Sequence, residues 1–237
     1  PRADRIVEGF GNPELEPERA IHYFGGIEWQ ATGAFFLDAQ FFYKDLDHLA
    51  ARCDPTLSSC RNFANTGTGR VFGGEWLLLF RPPGPLFGWL AYTLSRSERQ
   101  DAPGAPVYRF GYDETHILTV VFGALLPGGF EAGLRFRYIT GVPEVPLAGG
   151  WFDADRDVYL NIADRSVESR LPDFYQLDVR VAKRFRWGHA RILVILDVQN
   201  ATNHANAEQR TYNYDRTEST LVTGLPIIPS LGLRVEF

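Results

Sequence analysis

Apolar and polar positions alternate one by one along much of this chain. Near the C-terminus Leu231, Leu233, Val235 and Phe237 share one parity, and Gly232, Arg234 and Glu236 take the other. The same rhythm sets Leu177, Val179 and Val181 against Gln176, Asp178, Arg180 and Ala182. It sets Leu134, Phe136 and Tyr138 against Gly133, Arg135 and Arg137. Successive side chains of a strand point to opposite faces, so each segment predicts a strand with one apolar and one charged face. Nine such strands are expected, at about 19–30, 33–46, 69–81, 86–98, 113–126, 129–141, 174–187, 189–200 and 228–237.

The connections alternate in length. Short turns fall at 30–33, 81–85, 126–129 and 187–188, and long polar stretches at 47–68, 99–112, 142–173 and 201–227. Strands of roughly ten residues with turns sorted this way fit an all-β, antiparallel transmembrane β-barrel, with short periplasmic turns and long extracellular loops. The charged face would line a wet lumen and the apolar face would meet lipid. The C-terminus would then lie on the periplasmic side. No apolar run approaches the roughly 20 residues of a spanning helix; runs such as Trp76 to Phe80 and Ile192 to Leu196 are strand-sized. A soluble sandwich with an aromatic core fits the composition but has no reason to sort its loops.

Composition sharpens this picture at three points. Aromatic residues make up 14% of the 237 positions, and rings suit strands and membrane interfaces. The formal net charge of -5 gives no basic footprint for nucleic acid. There is no Met and the chain starts at Pro1, which reads as a processed or truncated polypeptide.

Candidate chemistry is sparse. Cys53 and Cys60 stand close together in an expected outer loop; a short disulfide in an oxidising compartment is one reading and a pair of free thiols the other. Asp153, Asp155 and Asp157, followed by Asn161 and Asp164, could converge on Ca²⁺. Val158 stands where a calcium loop wants Gly and Arg156 competes, so a solvated acidic loop is the alternative. Five scattered histidines show no metal spacing; His116 is expected to face the lumen. No nucleophile elbow or phosphate-binding glycine loop occurs, and neither catalysis nor a cofactor is expected.

Several segments carry a resemblance. Residues 171–237 resemble the end of a TonB-dependent outer-membrane receptor, through Arg170-Leu-Pro-Asp-Phe-Tyr-Gln-Leu-Asp-Val-Arg-Val-Ala-Lys183, Leu196-Asp-Val-Gln-Asn-Ala-Thr-Asn203 and the closing stretch from Gly224 to Phe237. Asn12-Pro-Glu-Leu-Glu-Pro-Glu18, the stretch from Asn65 to Glu75, and Asp113-Glu-Thr-His116 resemble earlier segments of such receptors, in the expected order. The resemblance implies a barrel of about 22 strands closed by an N-terminal plug. Residues 1–237 would be its C-terminal part, with the plug and the earlier strands absent. At about 26 residues per strand the full barrel needs roughly 600 residues.

The same resemblance implies a function. It points to energy-coupled uptake of a scarce nutrient, such as a ferric siderophore or a cobalamin, in the Gram-negative outer membrane. Partners would be membrane lipid, the small nutrient, the TonB energy-coupling complex acting through the plug, and the barrel assembly machinery. Phe237 looks like that machinery's terminal signal, or an aromatic packed on lipid. Arg135, Arg137, Arg180, Arg184 and Arg186 would face the lumen, either toward an anionic ligand or paired with Asp38, Asp178, Asp197 and plug carboxylates. The rival functions are a structural or adhesive outer-membrane barrel and a small porin-like barrel complete in itself, which needs an even strand number.

Overall fold

β-Branched and aromatic residues on a two-residue period favour extended backbone, and the chain forms strands almost throughout. The structure, a computed structural model, describes residues 12–52, 62–163 and 168–237. In chain order the strands are β1 (Arg19–Gln30), β2 (Phe35–Arg52), β3 (Phe63–Phe80), β4 (Leu86–Gln100), β5 (Tyr108–Arg109) and β6 (His116–Leu126). There follow β7 (Phe130–Ile139), β8 (Pro143–Glu144), β9 (Leu147–Asp153), β10 (Val158–Ala163) and β11 (Ser169–Arg170). The last are β12 (Phe174–Trp187), β13 (Ala190–Gln199), β14 (Ala207–Tyr212), β15 (Ser219–Thr223) and β16 (Ile228–Glu236).

One large sheet runs β1-β2-β3-β4-β6-β7-β12-β13-β16, with β5 paired to β4. Those nine path strands are the nine expected from the alternation. The bounds of β1 and β12 coincide with expectation, and the short turns lie where Gly and Pro cluster. Gly128 and Gly129 adopt φ of 74° and 79°, a backbone region that glycine enters at little cost. The long connections differ from expectation. β2 and β3 extend well into 47–68, and the stretches 142–173 and 201–227 hold the hairpins β9–β10 and β14–β15. Polar composition hid these strands.

The residues' contacts divide the chain into two units. One comprises Pro1–Gly26, Gln40–Gly74 and Ser95–Asp113, the other Ile27–Ala39, Glu75–Leu94 and Glu114–Phe237. In the first, buried Glu98 draws Arg70 (2.6 Å) and Arg96 to its two oxygens. Buried Asp113 accepts the Ser97 amide at 2.6 Å and holds Arg109 at 3.0 Å.

Antiparallel registers in the second unit define two faces. Phe122, Leu134, Val179 and Val198 stand side by side in one apolar row. One residue along, Gly123, Gly133, Arg180, Asp197 and Ser230 make a row on the polar face. Among the described residues of this unit, neither face carries a second layer of apolar side chains. Buried apolar residues are limited to Ala39, Ala51, Leu171 and Ala182 among those described, while Leu231 is 78% and Leu233 69% exposed. A face of this kind needs lipid or a partner against it.

Aromatic residues mark both ends of the apolar face. At the end near the long connections Tyr92 stacks on Trp76 (5.6 Å) and His116 (6.2 Å), and Tyr175 stacks on His204 (3.5 Å). At the turn end Phe35 meets Phe80 at 5.0 Å, and Lys183 Nζ sits 3.7 Å over the Phe130 ring. From Phe185 to Tyr175 is ten strand steps, about 34 Å along β12. With the usual tilt that is roughly 26 Å of height, matching the apolar band of about 25 Å on a membrane barrel. His116 lies on the apolar face and not on the lumen side that the sequence predicts for it. It faces outward with Tyr92, whose hydroxyl lies 2.8 Å from His116 Nδ1, because its pairing with Leu94 puts it on the apolar parity.

Candidate functional site

Polar side chains of the β6-β7-β12-β13-β16 segment converge on one face, and their register decides which charges meet. Asp178 lies opposite Arg135, and the guanidinium donates to one carboxylate oxygen from Nη2 at 2.6 Å and Nε at 2.9 Å. The other oxygen accepts from Gln176 (2.6 Å) and from the Asn200 amide (2.9 Å). Arg180 lies opposite Asp197, 3.4 Å away. Arg184 reaches Glu131 at 2.5 Å. These half-exposed pairs contribute little stability but cancel most of the positive charge of the face.

The two remaining arginines differ. Arg137 donates to Gln176 Oε1 at 2.9 Å and lies 5.1 Å over the Phe174 ring. Its buried Nε has no hydrogen-bond partner among the described residues. Arg186 stands directly opposite Arg191 beside the short turn at 188, a like-charge neighbour. Between the pairs runs an open groove of about 460 Å³, lined among others by Phe87, Gly123, Gly133, Arg135, Asp178 and Asp197. Gly123 leaves room there for the Phe87 ring, whose edge lies where a side chain at 123 would be.

The segment from Leu196 to Asn203 proves to be a structural lock. Asn200 and Asn203 adopt positive φ of 49° and 50°, a conformation asparagine tolerates. Buried Asn200 donates to the carbonyls of His204 (2.9 Å) and Leu225 (3.2 Å) and accepts the His204 amide (3.0 Å). Asn203 accepts the Ile227 amide, and Asn206 the Tyr175 amide. Together they tie the end of β13 to β12 and to the approach of β16.

The root of the 142–173 stretch is equally constrained. Gly141 packs so closely on the Leu171 carbonyl that a Cβ has no room. Asp173 accepts the Tyr138 hydroxyl (2.6 Å) and the Gly141 amide (3.0 Å). The hydroxyl first, then the amide, holds its carboxyl below the ordinary carboxylate value. Beyond the root, the acidic run forms the β9–β10 turn. Asp153 accepts the Asp155 amide (3.1 Å), faces Arg156 at 3.5 Å, and Asp157 has φ of 53°. Asp164 lies outside the described residues, and no cluster of three His, Cys, Asp or Glu gathers among those described. Cys53 and Cys60 also lie outside the described residues. Phe237 is fully exposed beyond β16.

One pattern escaped the sequence reading. Arg210, Tyr212 and Tyr214 alternate through a stretch whose polar composition predicts a loop, and all three reach the 142–173 stretch. Arg210 donates to Glu144 Oε1 from Nε at 2.9 Å, the Leu147 amide donates to the Tyr212 hydroxyl at 3.0 Å, and the Tyr214 hydroxyl donates to the Asp157 carbonyl at 2.9 Å. The two-residue period was the available signal.

Comparison with known proteins agrees with this geometry. A family model described as TonB dependent receptor-like, beta-barrel, matches residues 3–203. No curated protein sequence matches the chain. Among solved structures, the ferric-catecholate import receptor Fiu of K12 E. coli superposes with a TM-score of 0.64 at 16% identity, over 94% of this chain and 28% of that one. The pyoverdine outer membrane receptor FpvA of Pseudomonas aeruginosa PAO1 does so at 0.64 and 13%, over 94% and 30%. The FrpB iron transporter of Neisseria meningitidis gives 0.60 and 19%, over 93% and 31%. At these identities the likeness is one of fold, and the chain spans under a third of each of these proteins.

Proposed function

The chain belongs to the TonB-dependent receptor β-barrel family, and we propose that it forms part of the wall of an energy-coupled uptake receptor in the Gram-negative outer membrane. The carrying observation is the large antiparallel sheet, whose β6-β7-β12-β13-β16 segment is apolar on one side and lined by paired charges on the other, together with the family match over residues 3–203. In this reading the apolar face meets lipid and the polar face lines the lumen. The whole wall closes at about 22 strands around a plug, through which the TonB complex delivers its work. The cargo is a scarce, bulky nutrient, with a ferric siderophore favoured by the ferric catecholate and pyoverdine that name the structural neighbours. The outer connections catch it, and no chemistry is done on it.

Arg135, Arg180 and Arg184, already neutralised, hold a hydrated wall. Arg137 and Arg186, without a carboxylate within ion-pair reach among the described residues, are left to meet an anionic ligand or plug carboxylates. Phe237 serves as the signal for barrel assembly. The test is uptake of ⁵⁵Fe-loaded siderophores, and of cobalt-radiolabelled cobalamin, by starved cells with and without the full gene, with an energy-coupling mutant in parallel. Uptake lost in both strains is expected. Uptake unchanged by deletion across catecholate, hydroxamate and cobalamin ligands would sink the reading.

A further inference from the structure

The three contacts from β14 and its turn to the 142–173 stretch follow a geometric rule. Arg210 and Tyr212 are two residues apart on β14 and share one side of it, and Tyr214 follows in the β14–β15 turn. Each finds a different level of the opposite stretch. Arg210 meets β8 at its root, where Glu144 Oε1 accepts from both Nε and Nη2 at 2.9 Å and from the Ser169 hydroxyl at 3.3 Å. Tyr212 meets the start of β9 at Leu147, and Tyr214 meets the β9–β10 turn at Asp157.

The tip contact is also packed. Tyr159 and Tyr214 lie edge to face at 5.2 Å, with Phe152 against Tyr159 at 5.1 Å. Gly150 admits the neighbouring turn because it has no side chain: a Cβ there would come within 2.7 Å of the Asp215 carbonyl oxygen. The side chains of Glu144 and Arg210 are 15% and 27% exposed, so this pair is shielded from water more than the polar-face pairs are.

An isolated two-stranded hairpin is marginal in water. Each hairpin here supplies the other's missing packing. We infer that the β8–β10 segment (143–163) and the β14–β15 segment (207–223) form one cooperative body, so that the outer surface they present is composite and a change in either is felt in both. Local opening is cooperative over contacting elements. Ties at root, middle and tip leave neither hairpin a partial opening that spares the other.

Amide hydrogen exchange on the full-length receptor in detergent or native membrane reads this without any ligand, so it stands or falls separately from uptake. Arg210→Ala should speed exchange in the unmutated segment 147–163 by about ten-fold, together with 207–223, while amides of β7 and β12 stay protected. Glu144→Gln should act reciprocally on 207–223, and Arg210→Lys should restore part of the protection. Tyr214→Phe, which keeps the ring and removes one hydrogen bond, is the milder variant should Arg210→Ala unfold the wall. Faster exchange confined to the mutated connection, in either variant, overturns the inference.

Discussion

Val181 lies on the apolar face of β12, six residues from Tyr175 and four from Phe185, and is 41% exposed with no protein layer over it. If lipid covers it, Val181→Arg places a charge near the middle of the hydrocarbon and costs about 2–4 kcal/mol. That is roughly a thirty- to several-hundred-fold loss in the folding equilibrium. If water covers it, the same change relieves an exposed apolar surface and costs nothing. The two environments therefore predict different outcomes for one substitution. Phe185→Arg, at the rim, should cost no more than about 1 kcal/mol because the side chain can reach water. The assay is urea titration of full-length protein folded into phospholipid vesicles, followed by tryptophan fluorescence and by heat-modifiable migration on gels. A Val181→Arg variant as stable as wild type, or a penalty at Phe185 equal to that at Val181, would refute a lipid-facing assignment of this parity.

Three further outcomes follow from the locks. Asn200→Ala strands the His204 and Leu225 carbonyls and puts alanine at positive φ, so the urea midpoint should fall by an amount equivalent to about 2–4 kcal/mol. Gly141→Ala drives a Cβ into the Leu171 carbonyl and should cost about 3 kcal/mol or more, seen as a lower yield of heat-resistant folded protein. Asp173 titrates below its ordinary value in the folded state, so its carboxylate adds stability above the unfolded carboxylate range. That part is lost as pH falls below about 4 through the folded value. Asp173→Asn should then be destabilised at pH 6 and show a flatter profile between pH 6 and 3, read as urea midpoints.

The alternation along the chain determined the strands, their parity and the sorting of short and long connections, because the two-residue period is local and each residue's face follows from its neighbours. The asparagines of the Leu196–Asn203 segment were visible as a motif, but their work as a lock depends on carbonyls at His204 and Leu225. Tertiary structure decided the rest. Inter-strand register, a non-local choice, put Arg135 against Asp178 and Arg186 against Arg191, and turned His116 outward. It also made hairpins of stretches whose polar composition read as loop. The strands β9–β10 and β14–β15 gain their stability from each other across sequence separations of more than fifty residues, and no local pattern encodes a partner that far away.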